Sequence, residues 1–188
     1  MSQRLGGGRV ERESRSIAFA RVYDDHVWDV YGYFAYRLSS RDDAEDLTQL
    51  TFERALKAWD RFDARRATVR TWLLAIASNL LVDHYRRDRS RHEEAIGDGE
   101  GGEALLGYEE LEHPGLGISP DLAAGLELLG RREREVLALR FGGDLTGPEI
   151  AELTGLTLSN VQQILSRSLR RLRAELEQAD RSRTRARA

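Results

Sequence analysis

The chain has 188 residues, no cysteine and a formal net charge of −3, with 40% hydrophobic and 32% charged residues. That fits one large domain or two small ones. It excludes disulfides, thiolate chemistry and cysteine-ligated zinc, and no apolar run approaches the roughly 20 residues needed to span a bilayer.

The opening segment, MSQRLGGGRVERES, has no apolar core for a signal peptide, so the cytoplasm is the expected location. Residues 1–16 are expected to be a mobile tail. From Ile17 the pattern turns helical. Val27, Val30, Tyr31, Phe34 and Leu38 recur on one helical stripe. Ser39 or Ser40 can cap a second helix, with Ala44, Leu47, Thr51, Ala55 and Ala58 down one side and Phe52 and Trp59 beside them. A break at 61–68 precedes a third helix over roughly 71–87, with Trp72, Leu73, Ile76, Leu80 and Leu81 mostly facing inward.

Charge reverses sharply inside this first helical domain, residues 17–92. Between Asp42 and Glu53 stand five acids and no base. Between Arg61 and His92 stand eight arginines against three aspartates, with Phe62, Trp72 and Tyr85 among them. The first stretch disfavours DNA and the second suits it, so the domain reads as an adaptor between a protein and a nucleic acid.

Residues 93–112 hold eight acids, no base and five glycines; with His113, Pro114, Gly115 and Gly117 following, 93–118 reads as a flexible acidic linker. Ser119-Pro120-Asp121 is a helix start. Helices are expected at about 120–129, 131–142, 147–153 and 158–178, with 179–188 a basic frayed tail. Thr146 and Glu149 form a capping box, Gly155 makes a turn, and Thr157 caps the next helix. Val161, Leu165, Leu169 and Leu172 are expected to point inward. The pattern over 119–178 resembles a DNA-binding helix-turn-helix. Its outward residues are Ser159, Asn160, Gln162, Gln163, Ser166, Arg167, Arg170 and Arg171. Amides pair with adenine edges, and arginines serve guanine or phosphate. No segment alternates as a strand does, so the fold class is all-α, with two small helical domains.

DDAEDLTQ, then Thr51-Phe52, RFD at 61–63 and TWLLAIASNLLVDHYRR at 71–87, resemble region 2 of a bacterial sigma factor. LGRREREVLALRF, the helix-turn-helix and RRLR resemble region 4. Both blocks, in order and joined by a short linker, are similar to the extracytoplasmic-function (group 4) sigma factors. The resemblance implies a transcription initiation factor that binds core RNA polymerase, melts the −10 element with its first domain and reads the −35 element with its second. Asp43, Asp46, Gln49 and Glu53 would dock on the clamp helices of the largest catalytic subunit, with Leu50, where the family has glutamate, among them. Arg61, Phe62, Asp63, Arg66, Arg70 and Thr71 match the loop that holds an extruded base. Trp72, Ala75, Asn79, Asp83, Arg86 and Arg87 follow near the strand. Trp72 reads equally as core, and Asp83 equally as an anchor for Arg86 or Arg87. Thr157, Ser159, Asn160, Gln162, Gln163, Ser166, Arg167 and Arg170 would face the −35 duplex, and the second domain would also meet the polymerase flap. Where Gln162 and Ile164 stand, relatives carry cations, which implies weaker phosphate anchoring. Gly130 replaces a proline and loosens that junction. An anti-sigma factor is an expected partner.

Linker length agrees with this reading. Its 26 residues reach about 90 Å extended and average roughly 25–31 Å as a coil, against ~55 Å for a spacer of roughly 16–17 base pairs. In the family the linker threads toward the active centre, where its acids could mimic RNA. No cofactor, metal, membrane insertion or catalytic residue is expected. The main alternative is a helix-turn-helix regulator that is not a sigma subunit, which leaves DDAEDLTQ and the arginine–aromatic block unexplained. A purely inhibitory polymerase-binding protein would need no recognition helix. A phosphohydrolase built on His26, Asp29, Asp83 and His84 lacks a phosphate loop and a convergent ligand set.

Overall fold

The computed structural model describes the backbone of residues 7–95 and 118–187, and the side chains of 18–89, 118–181 and 183–184. Every described element is helical. In order they are α1 (Gly7–Ala35), α2 (Arg41–Ala58), a 3-10 turn (Trp59–Arg61), α3 (Val69–Ala95), α4 (Pro120–Glu127), α5 (Arg131–Leu137) running into a π turn (Ala138–Gly142), α6 (Gly147–Thr154) and α7 (Leu158–Arg187).

The expected caps are in place. Ser40 Oγ accepts from Asp43 N–H at 3.2 Å and Ser119 Oγ from Leu122 N–H at 3.2 Å. Each satisfies one of the donors that a helix start leaves open. Two ends differ from expectation. α1 begins at Gly7, within the residues expected as a tail, and α7 runs to Arg187 rather than ending near 178. Between Gly8 and Ile17 the sequence has no proline or glycine to stop a helix. In α7, Arg183 ties back to Asp180 and to Asp121 of α4, and Thr184 Oγ1 donates to the Asp180 carbonyl at 2.9 Å. Residues 96–117 of the expected linker lie outside the described residues, and so does its threading role.

Val30, Tyr33 and Phe34 of α1, Ala44 and Ala55 of α2, and Leu73, Leu74 and Leu80 of α3 make a core that continues into Val136, Leu139, Leu145, Ile150 and Val161. The sequence predicts two small domains, and the structure packs them on each other through this shared core. α1 crosses the π turn backbone to backbone. A Cβ on Gly32 would lie 2.6 Å from the Gly142 carbonyl oxygen, and one on Gly142 would lie 2.4 Å from that of Gly32. Only glycine permits so close an approach. A smaller cluster of Leu126, Leu129, Leu137 and Leu172 fastens α4 and α5 to α7.

One inward assignment is corrected. Leu169 is 44% exposed, and Ser168, at 0%, holds its place on the buried stripe. The stripe steps 161, 165, 168, 172, because two turns of helix need a step of seven. Residue 169 falls 100° further round.

Candidate polymerase and DNA interfaces

α2 carries the acidic face. Asp42 and Asp43 sit in its first turn, where the helix dipole favours anions. Asp46, Gln49 and Glu53 are exposed and Asp43 is half-exposed. Gln49 Nε2 donates to Glu53 Oε1 at 3.2 Å, while Arg41 takes up Glu45 at 2.7 Å. Leu50 is half-buried and packs against the core. Beside this face α1 and α2 form an open, largely apolar groove of about 620 Å³, lined by Tyr23, Trp28, Phe52 and Leu56 and also by Gln49 and Glu53. Trp28 is 60% exposed. Sequence reasoning missed the groove. The signal was Trp28 beside Val27, an extra aromatic one position off the buried stripe.

The arginine–aromatic block folds around a cluster of rings. Phe62 stacks on Trp59 at 5.3 Å with planes 7° apart, and Trp72 meets Phe62 at 5.0 Å. All three are half-buried. Trp72 therefore serves the packing of the loop as well as lining it. Arg61 and Arg66 are exposed. Asp63 is paired with Arg65. Its carboxylate accepts from Arg65 Nε at 3.0 Å and Nη2 at 3.1 Å, and from the Arg65 backbone N–H at 3.0 Å. Those bonds hold its pKa below the ordinary carboxylate value.

Further along α3, Ala75 is half-buried and Asn79 exposed, on the same side as the rings. Asp83 lies 3.9 Å from both Arg54 and Arg86, and Arg87 Nε donates to the Asp83 carbonyl at 3.2 Å. The Asp83 carboxylate is thus within ion-pair range of arginines on α2 and α3. His26 pairs with Asp29 at 3.0 Å and His84 with Asp88 at 3.1 Å, on different helices.

Arg70 and Thr71 are engaged by the other half of the molecule. Arg70 Nε donates to Asp29 at 2.8 Å and its Nη1 to Asp144 at 3.1 Å. Thr71 is 9% exposed, takes part in the Thr68 cap of α3, and donates to Glu149 Oε1 at 3.4 Å. Nothing in the sequence pairs positions 70 and 144, so this contact was not legible.

The helix-turn-helix matches its expected construction. Glu149 Oε2 accepts from Thr146 N–H at 2.8 Å and from its hydroxyl at 2.6 Å. These bonds, chiefly the hydroxyl's, hold the Glu149 carboxyl below its ordinary value. Gly155 ends α6 at φ 69°, ψ 15°. Thr157 Oγ1 accepts from Asn160 N–H at 3.2 Å at the start of α7. Thr157, Ser159, Asn160, Gln162, Gln163, Ser166, Arg167 and Arg170 are all exposed. From 159 to 170 they span about 16 Å, the rise of roughly five base pairs. Arg171, also exposed, is engaged within the chain, by Glu133 at 3.0 Å and the Leu128 carbonyl at 2.7 Å. It satisfies the C-terminal end of α4.

Residues 22–91 match the family description "Sigma-70 region 2" and residues 125–174 match "Sigma-70, region 4". The chain is 33% identical over 161 residues to the ECF RNA polymerase sigma factor BldN of Streptomyces coelicolor, covering 82% of this chain and 59% of that protein's length. It is 33% identical over 168 residues to the ECF RNA polymerase sigma factor SigC of Mycobacterium tuberculosis, covering 87% of this chain and 84% of the relative. Among solved structures it resembles the sigma factor RpoE bound to the anti-sigma factor NepR from Bartonella quintana (TM-score 0.65, 22% identity, 85% of this chain, 97% of that one). It also resembles CnrH in complex with the cytosolic domain of CnrY (TM-score 0.59, 26% identity, 86% of this chain, 89% of that one). With both regions matched in order and a relative at 33% identity covered over 84% of its length, the chain belongs to the extracytoplasmic-function branch of the bacterial sigma-70 factors.

Proposed function

We propose that this sigma factor binds core RNA polymerase through α2, opens and holds the −10 element with the Arg61–Arg87 face, and reads the −35 duplex with α7. Asp43, Asp46, Gln49 and Glu53 meet basic residues of the clamp helices, with Leu50 and the adjoining groove supplying apolar contact. Arg61 and Arg66 follow strand phosphates, and the edges of Phe62 and Trp72 support an unstacked base. Asn79 offers an amide to a base edge, and Arg86 and Arg87 continue the phosphate track. Gln162, Gln163 and Asn160 suit adenine edges, and Arg167 and Arg170 suit guanine or phosphate. The protein works in the cytoplasm with the polymerase, and an anti-sigma factor that covers both halves would silence it.

The observation that carries this reading is the placement of two opposite faces on adjacent helices. An acidic, capped helix lies beside an arginine–aromatic loop, and the recognition helix carries an exposed polar face of its own. The test is run-off transcription with core polymerase and a promoter library. Promoter-dependent initiation is the expected result. Core binding without initiation, or DNA binding with no need of core, would sink it.

A further inference from the structure

Two guanidinium groups converge on one tyrosine ring, and neither meets a carboxylate. Arg37, in the turn that follows α1, is 8% exposed. Its Nη1 donates to the Arg131 carbonyl at 2.8 Å, and its Nε is buried with no acceptor. Arg131 is the first residue of α5 and is exposed. The two groups lie 5.9 and 5.8 Å from the centre of the Tyr85 ring. Tyr85 is fixed in place, because its hydroxyl donates to the Arg37 carbonyl at 2.7 Å. Among the described residues neither arginine has an ion pair. The acids of α5 are engaged elsewhere: Glu133 holds Arg171 at 3.0 Å, and Glu135 holds Arg132 at 3.2 Å. The half-buried Arg70, by contrast, is met by both Asp29 and Asp144.

A buried cation without an anion is costly, and a second cation beside it raises the cost. The ring offsets part of that through its electron-rich face. An anion would offset the rest. We infer that Arg37, Arg131 and Tyr85 form a binding site for a small phosphate compound. Charge decides the class. Two cations match a phosphate monoester, which carries about −1.5 to −2 near neutral pH, better than a carboxylate with a single charge. Guanidinium forks also pair with phosphate oxygens two at a time. Both arginines lie over the Tyr85 ring, so the ring serves them rather than a stacked base. The site thus recognises the phosphate itself, whether free or carried by a nucleotide. It opens to solvent at Arg131. Its cations come from the two halves of the chain, so bound phosphate adds to the stability of the whole fold. No residue assigned above to polymerase or DNA belongs to it.

The test is isothermal calorimetry on the full chain, free of polymerase and DNA. The probes are orthophosphate, pyrophosphate, adenosine diphosphate and adenosine, at one ionic strength set with sodium chloride. Binding of the phosphate compounds but not of adenosine is expected. Arg131→Gln should weaken it about tenfold, the usual worth of a charged hydrogen bond. Arg131→Lys keeps the charge without the fork and should recover part of the loss. Both variants retain the backbone carbonyl that Arg37 uses. Arg181→Gln removes the same charge from an exposed position near the end of α7 and should leave binding unchanged. Melting midpoints in phosphate-free buffer report whether each variant is folded. If Arg131→Gln melts early, Arg131→Lys against Arg181→Lys carries the comparison. Tightest binding by the nucleotide assigns the site to nucleotides, and tightest binding by an inorganic probe assigns it to free phosphate. No heat from any phosphate compound at millimolar concentration overturns the inference. So does equal weakening by the changes at 131 and 181, which would reflect net charge alone.

Discussion

Glu149 shows how much one side chain carries. It accepts both the backbone and the hydroxyl proton of Thr146 and also faces Thr71. Its folded pKa lies below the unfolded value near 4.5. A lowered carboxyl pKa means stability that is fully present above the unfolded value and lost as pH falls through the folded one. Thermal melts from about pH 6 to about pH 3 should therefore show a loss that Glu149→Gln flattens. Thr146→Ala, which removes the hydroxyl's hydrogen bond to the Glu149 carboxylate, is expected to cost about 1 kcal/mol at neutral pH. Ser168 works in the opposite direction. Its hydroxyl is buried with no partner, so Ser168→Ala should gain about 1 kcal/mol, read as a higher urea midpoint with an unchanged slope.

Elements built on local rules were legible. The starts of α2, α4 and α6 follow from Ser40, Ser119 and Thr146, and the turn between α6 and α7 from Gly155. Each signal lies within four residues of its effect. Leu169 was misplaced because a strict step of four overruns the helical period by the third turn. The π turn was illegible, since its Gly143 N–H to Ala138 carbonyl bond answers to packing against α1 rather than to any motif. For the recognition helix, the exposed face predicts a separable effect. Gln163→Ala is expected to lose about tenfold in initiation at promoters whose −35 adenine it contacts, from ~1–3 kcal/mol per good base contact. Core binding measured by co-sedimentation should not change.

Across the whole molecule, the candidate site was legible as two charge blocks but not as an arrangement. The sequence shows that 42–53 and 61–92 differ in sign; it cannot show that Asp144 and Glu149 reach over the second block. Such contacts join residues 74 and 78 positions apart. Asp46, Gln49 and Glu53 of the acidic face stay exposed. Charge reversal at Asp46 and Glu53 together is expected to weaken core binding and to reduce its salt dependence, measured by competition at two ionic strengths. Promoter-strand binding by the free chain should be unaffected.

All three tryptophans, Trp28, Trp59 and Trp72, belong to the N-terminal half. One stands in the groove beside the acidic face of α2, and the other two are in the ring cluster at the Arg61–Thr71 loop. Intrinsic emission is thus a built-in pair of reporters, silent about the recognition helix. Under the proposed roles, polymerase closing over Trp28 is expected to shift emission to shorter wavelength, and a base stacking beside Trp72 to quench it. The order of the two signals after rapid mixing gives the order in which partners arrive, with no label attached.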